Sequence, residues 1–241
     1  MTRWKASGIH LSISLVIGIV AFCLLYFVYY PQPYFEPAGA SKLVMILLGV
    51  DVVLGPLLTL AVFKAGKWGM RFDLAVIALL QTAALVYGLS IMWRARPIFV
   101  VAVVDRVELV YAGDIDQVDF VNAAEPRFAR EPLFGPLFVV SRRAKPGDEQ
   151  AELMGAVLVG KDVHQYPRFF ETPTPGNLKA VLEKAKNFDS LPLQSQANVL
   201  AKVENAKSVR YLPLQGRDDA YLLVVESLAQ KFNQSVLGSA W

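Results

Sequence analysis

The chain has 241 residues, of which 54% are hydrophobic and only 19% are charged, so it is too apolar for an ordinary soluble domain. Residues 1–96 carry eight Lys or Arg side chains against three acids, whereas the remainder carries sixteen basic and eighteen acidic groups. A positive excess confined to the apolar half is typical of membrane-flanking residues and argues against nucleic-acid binding. The single cysteine, Cys23, excludes a disulfide framework and a four-ligand zinc site.

Three apolar segments are long enough to cross a hydrocarbon core of about 30 Å at about 1.5 Å per helical residue. The predicted spans are residues 10–30, 43–63 and 74–93. Short connections predict that the three helices pack as antiparallel neighbours. The sequence therefore predicts a three-helix transmembrane domain over residues 1–96, followed by an extramembrane α+β domain over residues 97–241.

The basic residues beside the spans predict the orientation of the chain in the membrane. They cluster in the N-terminal tail and the second loop, at Arg3, Lys5, Lys64, Lys67 and Arg71. Fewer basic residues favour the reverse orientation: Lys42 in the first loop, and Arg94 and Arg96 after the third span. We therefore expect a cytoplasmic N-terminus in a bacterial inner membrane and a periplasmic C-terminal domain.

The first loop combines aromatic and proline residues at the predicted outer boundary. These are Tyr30, Pro31, Pro33, Tyr34 and Phe35. Proline fixes its own φ and restricts the preceding residue, so the loop should be stiff. Two interpretations stay open here, an interfacial anchor in the headgroup region and an edge on which a partner docks.

In the C-terminal domain, β-branched runs and turn residues predict the elements in chain order. Strands are expected at residues 98–104, 107–111 and 137–141, a hairpin at 209–214 and 221–226, and a last strand at 235–237. Helices are expected after Asp114, from Asp148 to near Gly160, from the Thr174-Pro175 cap, and over residues 195–207.

Catalytic motifs are missing from the sequence. It contains no G-x-S-x-G, H-E-x-x-H, Walker A or G-x-G-x-x-G pattern, and His164 has no metal-ligand spacing around it. Asp51 and Asp73 are the only candidates for an intramembrane aspartyl protease, which needs two carboxylates sharing a proton. Counted along the helices, Asp51 lies about 12 Å inside the outer end of the second span, whereas Asp73 lies at the cytoplasmic end of the third, too far apart to share a proton. We expect neither an enzyme nor a cofactor or metal site.

Asp51 lies inside the second span, where an ionisable residue is costly and marks a candidate functional site. It is either protonated, hydrogen-bonded to Gln81 at similar depth, or paired with a partner. Pro56 cannot donate to the carbonyl of Val52, and Gly55 permits close approach of another backbone. The four residues Asp51, Gly55, Pro56 and Gln81 therefore predict a kinked notch that could receive another transmembrane helix.

Several segments together resemble the type IV pilin accessory protein family, of the TfpX/TfpZ type. They are RWKA at residues 3–6 with His10, the YPQPYF loop, GVDVVLGPLLTLAVF at 49–63, RFDLAVIALLQTAALVYG at 71–88, and Arg96-Pro97 before a valine-rich strand. The similarity is dense through about residue 110 and weaker beyond about residue 120.

The resemblance implies an inner-membrane protein that works with one cognate type IV major pilin and helps its stability or assembly, without cofactors or catalytic residues. A pilin-specific chaperone or assembly factor would use the notch for the client helix and the α+β domain for its head, with assembly-platform proteins and membrane lipid as further contacts. The alternative is a membrane-anchored periplasmic sensor or ligand-binding module. It would need an output domain, and the expected cytoplasmic segments are too short for one.

Overall fold

The computed structural model describes residues 2–64, 68–225 and 232–240, with the backbone alone at residues 232 and 233. The chain divides into two compact units. A helical unit comprises Met1–Val28 and Ala40–Arg94, and a sheet unit comprises Tyr29–Gly39 and Ala95–Trp241. The first loop therefore belongs with the C-terminal part of the chain.

Within its described residues, the helical unit contains three helices that are long and apolar enough to cross a membrane. The first is α1, Arg3–Leu24, extended by a π-helical turn, Leu25–Tyr29. The second consists of α2, Ala40–Gly49, a π-helical turn, Val50–Leu54, and α3, Gly55–Val62. The third is α4, Met70–Arg94. The predicted number of apolar helices is confirmed for the described residues, and the three helices begin seven, three and four residues earlier than expected.

Small side chains line the buried face of α1, at Ala6, Ser14, Gly18 and Ala21. Through this face α1 packs mainly on α3, while α4 packs on α2 and α3. Small residues let helix backbones approach closely, which is how helices associate where no hydrophobic driving force acts between them.

The sheet unit contains eight strands and four α-helices within the described residues. The strands are β1 Pro97–Ala102, β2 Val107–Tyr111, β3 Leu137–Ser141, β4 Phe170–Glu171, β5 Lys186–Asn187, β6 Arg210–Gln215, β7 Ala220–Val225 and β8 Phe232–Leu237. The helices are α5 Gln117–Val121, α6 Asp148–Leu158, α7 Pro175–Leu182 and α8 Leu193–Lys202. The predicted combination of apolar helices with an α and β domain is confirmed to this extent.

All eight strands form one mixed sheet in the order β4-β3-β1-β2-β6-β7-β8, with β5 also paired to β6. Strands β1 and β3 are parallel, as are β2 and β6, and the remaining pairs are antiparallel. The central strand β1 is buried along its whole length, which explains its continuous apolar run.

Two clusters of buried side chains hold the sheet unit together. One surrounds β1 and β3 and includes Phe99, Phe128 and Phe170. The three rings meet edge to face, with centroids of Phe99 and Phe170 5.1 Å apart. The other lies between α8 and strands β6 to β8, and includes Val199 and Tyr211. The Tyr211 hydroxyl donates to the carbonyl oxygen of Ala206 at 2.7 Å, so its polar end is satisfied.

Two predicted helix boundaries are wrong. Helix α5 begins at Gln117, and the Asp114 carboxylate instead accepts a hydrogen bond from the Tyr111 amide at 2.9 Å, which closes a turn. Helix α8 ends at Lys202, five residues before the expected end. The predicted end of the hairpin at Glu226 lies outside the described residues.

Candidate functional site

The second apolar helix is interrupted where the sequence predicts a disturbed turn. The π-helical turn Val50–Leu54 precedes Gly55 and Pro56, and Pro56 has no N–H to donate to the preceding turn. Single π-helical turns inside α-helices frequently mark functional sites. Asp51 lies in this turn, and only 7% of its surface is exposed.

Gln81 of α4 meets this turn directly. Its side-chain amide donates to the main-chain oxygen of Asp51 at 3.1 Å. A Cβ atom at Gly55 would overlap the same amide, so the absence of a side chain at Gly55 makes room for Gln81. Asp51, Gly55 and Gln81 therefore lie together. The similar depth of Asp51 and Gln81 along their helices predicts this proximity, and the observed hydrogen bond joins Gln81 to the main chain of Asp51.

Two acceptor atoms at this point have no hydrogen-bond partner. They are Oδ1 of Asp51 and Oε1 of Gln81, and both are buried. A buried polar atom without a partner is costly, because its interactions with water are lost and not replaced. The site can therefore accept hydrogen bonds from a group brought to it.

Helix α1 contributes polar contacts that the sequence reasoning missed. The Ser7 hydroxyl donates to the main-chain oxygen of Pro56 at 2.8 Å, and His10 Nδ1 lies 2.5 Å from Thr59 Oγ1. Ser7, His10 and Ser14 recur at intervals of three and four residues, which places them on one face of the helix. That spacing is the signal that could have identified them.

Two recesses open beside Asp51, each with a volume of about 190 Å³. The α1/α4 groove is lined by Asp51 together with His10, Ile13, Ser14 and Ile17 of α1 and Ala78, Gln81, Thr82 and Leu85 of α4. The α2/α4 cleft is lined by Asp51 and mainly apolar residues of α2 and α4, among them Leu47 and Gly88. Asp51 therefore contributes to both recesses.

The predicted outer-loop residues lie within the sheet unit. Tyr30, Pro33, Tyr34 and Phe35 are buried and Pro31 is half-buried. Burial raises the pKa of Tyr34, so its phenol stays neutral at physiological pH.

Three hydrogen bonds fix the main chain of this loop. The Arg217 amide donates to the carbonyl oxygen of Pro37 at 2.8 Å, the Ser235 hydroxyl to that of Pro33 at 2.7 Å, and the Tyr221 hydroxyl to that of Glu36 at 3.4 Å. The Arg217 guanidinium also lies 4.3 Å from the ring centroid of Tyr111. The loop is thus an integral part of the sheet unit, and docking of a partner there stays a prediction.

Two carboxylates of helix α6 pair with arginine side chains of the sheet unit. Arg142 forms two hydrogen bonds with Glu149, at 2.9 and 3.0 Å, and Arg168 pairs with Glu152 at 2.9 Å. Toward its C-terminus the helix exposes apolar side chains, at Met154, Val157 and Leu158, and Leu158 is 89% exposed. These side chains are a second candidate surface for a partner.

Within the described parts of the chain, no group of three or more His, Cys, Asp or Glu side chains could hold a metal ion. Asp73 lies in the first turn of α4, eight residues before Gln81, which corresponds to about 12 Å along the helix axis. The site around Asp51 is therefore assembled from hydrogen-bonding groups on apolar helices.

Sequence comparison with known proteins shows which family the chain resembles. The family model described as fimbrial assembly protein FimB matches residues 1–39. Two curated proteins of Dichelobacter nodosus, the fimbrial assembly proteins of serogroups I and E1, are each 32% identical over 200 residues, covering 81% of this chain and 77% of each relative. A third, of serogroups C1 and C2, is 36% identical over 113 residues, which is 46% of this chain and 86% of that protein. No solved structure matches.

The chain belongs to the family of fimbrial assembly proteins. The family resemblance seen in the sequence is thereby confirmed, and a role in fimbrial assembly follows from it. The residues matched by the family model, 1–39, include the whole of α1, with Ser7 and His10.

Proposed function

We propose that the protein is an inner-membrane chaperone or assembly factor for one cognate type IV major pilin, with its N-terminus in the cytoplasm and its sheet unit in the periplasm. The single observation that carries the proposal is the buried Asp51 carboxylate with an unpartnered oxygen, set in a π-helical turn of an apolar helix. An ionisable residue inside an apolar helix, with a buried oxygen that lacks a hydrogen-bond partner, is a candidate functional site.

In this proposal the helical unit holds the apolar helix of the pilin while it waits in the membrane. Asp51 and Gln81 supply acceptors for polar groups of the client that would otherwise face lipid. Gly55 and Pro56 shape the site from inside, because Gly55 admits Gln81 and the carbonyl of Pro56 accepts from Ser7. The sheet unit contacts the pilin head, and the exposed apolar side chains of α6 are one candidate surface for this contact. Assembly-platform proteins would receive the client from the complex.

The role is proposed to be non-catalytic. The alternative is a membrane-anchored periplasmic sensor or ligand-binding module. The apolar helices favour the chaperone, because their polar groups converge at Asp51.

Deletion of the gene, followed by measurement of pilin abundance, pilin processing and surface pili, tests the proposal. A chaperone predicts reduced pilin or pili with correctly processed pilin, and complementation by the full chain restores both. Unprocessed pilin would indicate a protease. Unchanged pilin and pili, together with failure of the purified full chain to retain the cognate pilin, would refute the proposal.

A further inference from the structure

The two walls of the α1/α4 groove have the same spacing. On α1 the lining residues are His10, Ile13, Ser14 and Ile17, and on α4 they are Ala78, Gln81, Thr82 and Leu85. Each set follows the i, i+3, i+4, i+7 pattern of one helix face. A groove bounded by two such faces matches the ridge of a further helix, since helical ligands present their anchors at the same intervals.

The groove walls are largely unoccupied by the chain itself. Ile13 and Ile17 are 55% and 45% exposed, although both line the groove. On α4, whose residues are all described, Ile77 and Met92 are the buried ones. The apolar walls can therefore contact an additional helix by close packing, the principal source of helix association in lipid.

The polar groups distinguish the α1/α4 groove from the α2/α4 cleft. His10, Ser14, Gln81 and Thr82 line the groove beside Asp51, whereas the cleft presents Asp51 among mainly apolar neighbours. In the cleft, a Cβ atom at Gly88 would also overlap the side chain of Leu47, so α2 and α4 already pack closely there. A client with polar groups therefore meets more hydrogen-bonding side chains in the groove than in the cleft.

We infer that the α1/α4 groove receives one apolar α-helix of the pilin, and that this helix carries a hydrogen-bond donor at the depth of Asp51. The inference rests on the proposed function and adds where the helix sits and what chemistry it brings. The donor follows from Oδ1 of Asp51 and Oε1 of Gln81, which are both acceptors and both buried without a partner. A hydroxyl, an amide or an ammonium group would serve equally.

Site-specific photo-crosslinking in the full chain, expressed with its cognate pilin, tests the location. A photoreactive residue replaces Ile13 or Ile17 in the groove, Ile46 in the α2/α4 cleft, or Leu79, which is 69% exposed and lines neither recess. We expect pilin adducts from Ile13 and Ile17, with yields at Ile46 and Leu79 several-fold lower.

The other outcomes separate failure of the inference from failure of the proposed function. Adducts mainly from Ile46 would overturn the groove assignment and leave the pilin as client. Lipid adducts from Ile13 and Ile17, with pilin still co-purifying, would also overturn it and place the contact elsewhere. If pilin neither crosslinks nor co-purifies, the proposed function fails as well.

Variants of Asp51 test the donor. Asp51→Asn has nearly the same shape and retains one side-chain oxygen as an acceptor. Asp51→Leu removes both carboxylate oxygens of residue 51. Hydrogen bonds between membrane helices contribute about 0.6 to 1.7 kcal/mol, so we expect Asp51→Leu to lower pilin retention by roughly threefold to eighteenfold. The control is Ser12→Ala, because the Ser12 hydroxyl is exposed and donates within α1 to Gly8 at 3.0 Å.

Insertion and protease resistance of each variant are compared with those of the wild type. A donor of any charge predicts that Asp51→Asn retains more pilin than Asp51→Leu, while Ser12→Ala retains as much as wild type. Equal retention by wild type and Asp51→Leu, in correctly inserted protein, would overturn the donor assignment.

Discussion

The helical unit and the sheet unit distribute apolar side chains in opposite ways. In the sheet unit, every residue of β1 is buried, and aromatic rings meet in the interior. In the helical unit, small residues are buried on α1 while large ones such as Val20 and Leu79 face outward, 63% and 69% exposed. Large apolar residues are expected to face outward where lipid is the solvent. Specific contacts between helices then depend on small residues and on hydrogen bonds between polar groups.

One carboxylate in each unit also differs in its hydrogen-bond partners. Glu149 of the sheet unit accepts two hydrogen bonds from Arg142 and one from the Lys145 amide. Asp51 of the helical unit has a buried oxygen without a partner. The first carboxylate is satisfied by its own chain, and the second is available to another molecule. Under the proposed function, fold stability therefore rests mainly on the sheet unit, and recognition of the client helix rests on the helical unit.

The largest expected effect is on the core of the sheet unit. Phe99→Ala removes a fully buried ring that contacts Phe128 and Phe170, and should cost about 3–5 kcal/mol of unfolding free energy. Leu79→Ala is the matched control in the helical unit. Its side chain is exposed and lines neither the groove nor the cleft, so we expect a change below about 1 kcal/mol in micelles. Thermal unfolding of both variants in the same detergent checks the difference, and equal losses would contradict the comparison.

The next effect concerns the loop of the sheet unit. At Gly216 a Cβ atom would lie 2.7 Å from the carbonyl oxygen of Pro37 and 2.8 Å from that of Asp219. Gly216→Ala must displace main-chain atoms, so we expect a loss of about 1–3 kcal/mol. Gly155→Ala on α6 meets nothing within 4 Å and should cost nothing. Limited proteolysis at residues 29–39 should accelerate in Gly216→Ala alone; unchanged cleavage would show that the loop is held independently of this turn.

Much of the sheet unit could be predicted from local sequence. The β-branched runs identify β1 to β3, and the Thr174-Pro175 pair marks the start of α7, where the Thr174 hydroxyl accepts from the Asn177 amide. The parallel pairing of β1 with β3 could not be predicted, because it depends on contacts between distant segments. Burial of the first loop likewise depends on Arg217 and Ser235, about two hundred residues further along the chain.

In the candidate site, depth counting along the helices predicts that Asp51 and Gln81 meet. The contribution of α1 was missed, because Ser7 and His10 are isolated polar residues in an apolar run, and their partners, Pro56 and Thr59, lie on another helix. Hydropathy identifies a span without showing which of its faces meets a neighbour. The recurrence of polar and small residues on α1 contains that information.

A smaller effect is expected at Gly55, where the main chain of the second apolar helix packs directly against the Gln81 side chain of α4. Gly55→Ala forces the Gln81 amide away from the main-chain oxygen of Asp51 and should cost about 1 kcal/mol or less. Gly8→Ala on α1 meets nothing within 4 Å and is the matched control. Unfolding in mixed micelles measures both. In a Gln81→Ala background, Gly55→Ala should cost nothing, and a persistent cost there would show that Gly55 packs against another group.

The smallest expected effect is the pH dependence of the Glu149 contact. Hydrogen bonds from Arg142 and from the Lys145 amide lower the pKa of Glu149 to about 2, from 4.5. A carboxylate whose pKa is lowered by folding stabilises the fold above the unfolded pKa and loses that contribution as pH falls through the folded pKa. The stability difference between wild type and Glu149→Gln should therefore be largest above about pH 5 and vanish near pH 2. Asp148→Asn, which removes an exposed charge in the same helical turn, is the control. A stability difference that stays constant between these pH values would show that the negative charge of Glu149 does not contribute to it. The two carboxylates, Glu149 and Asp51, would then differ only in how deeply they are buried.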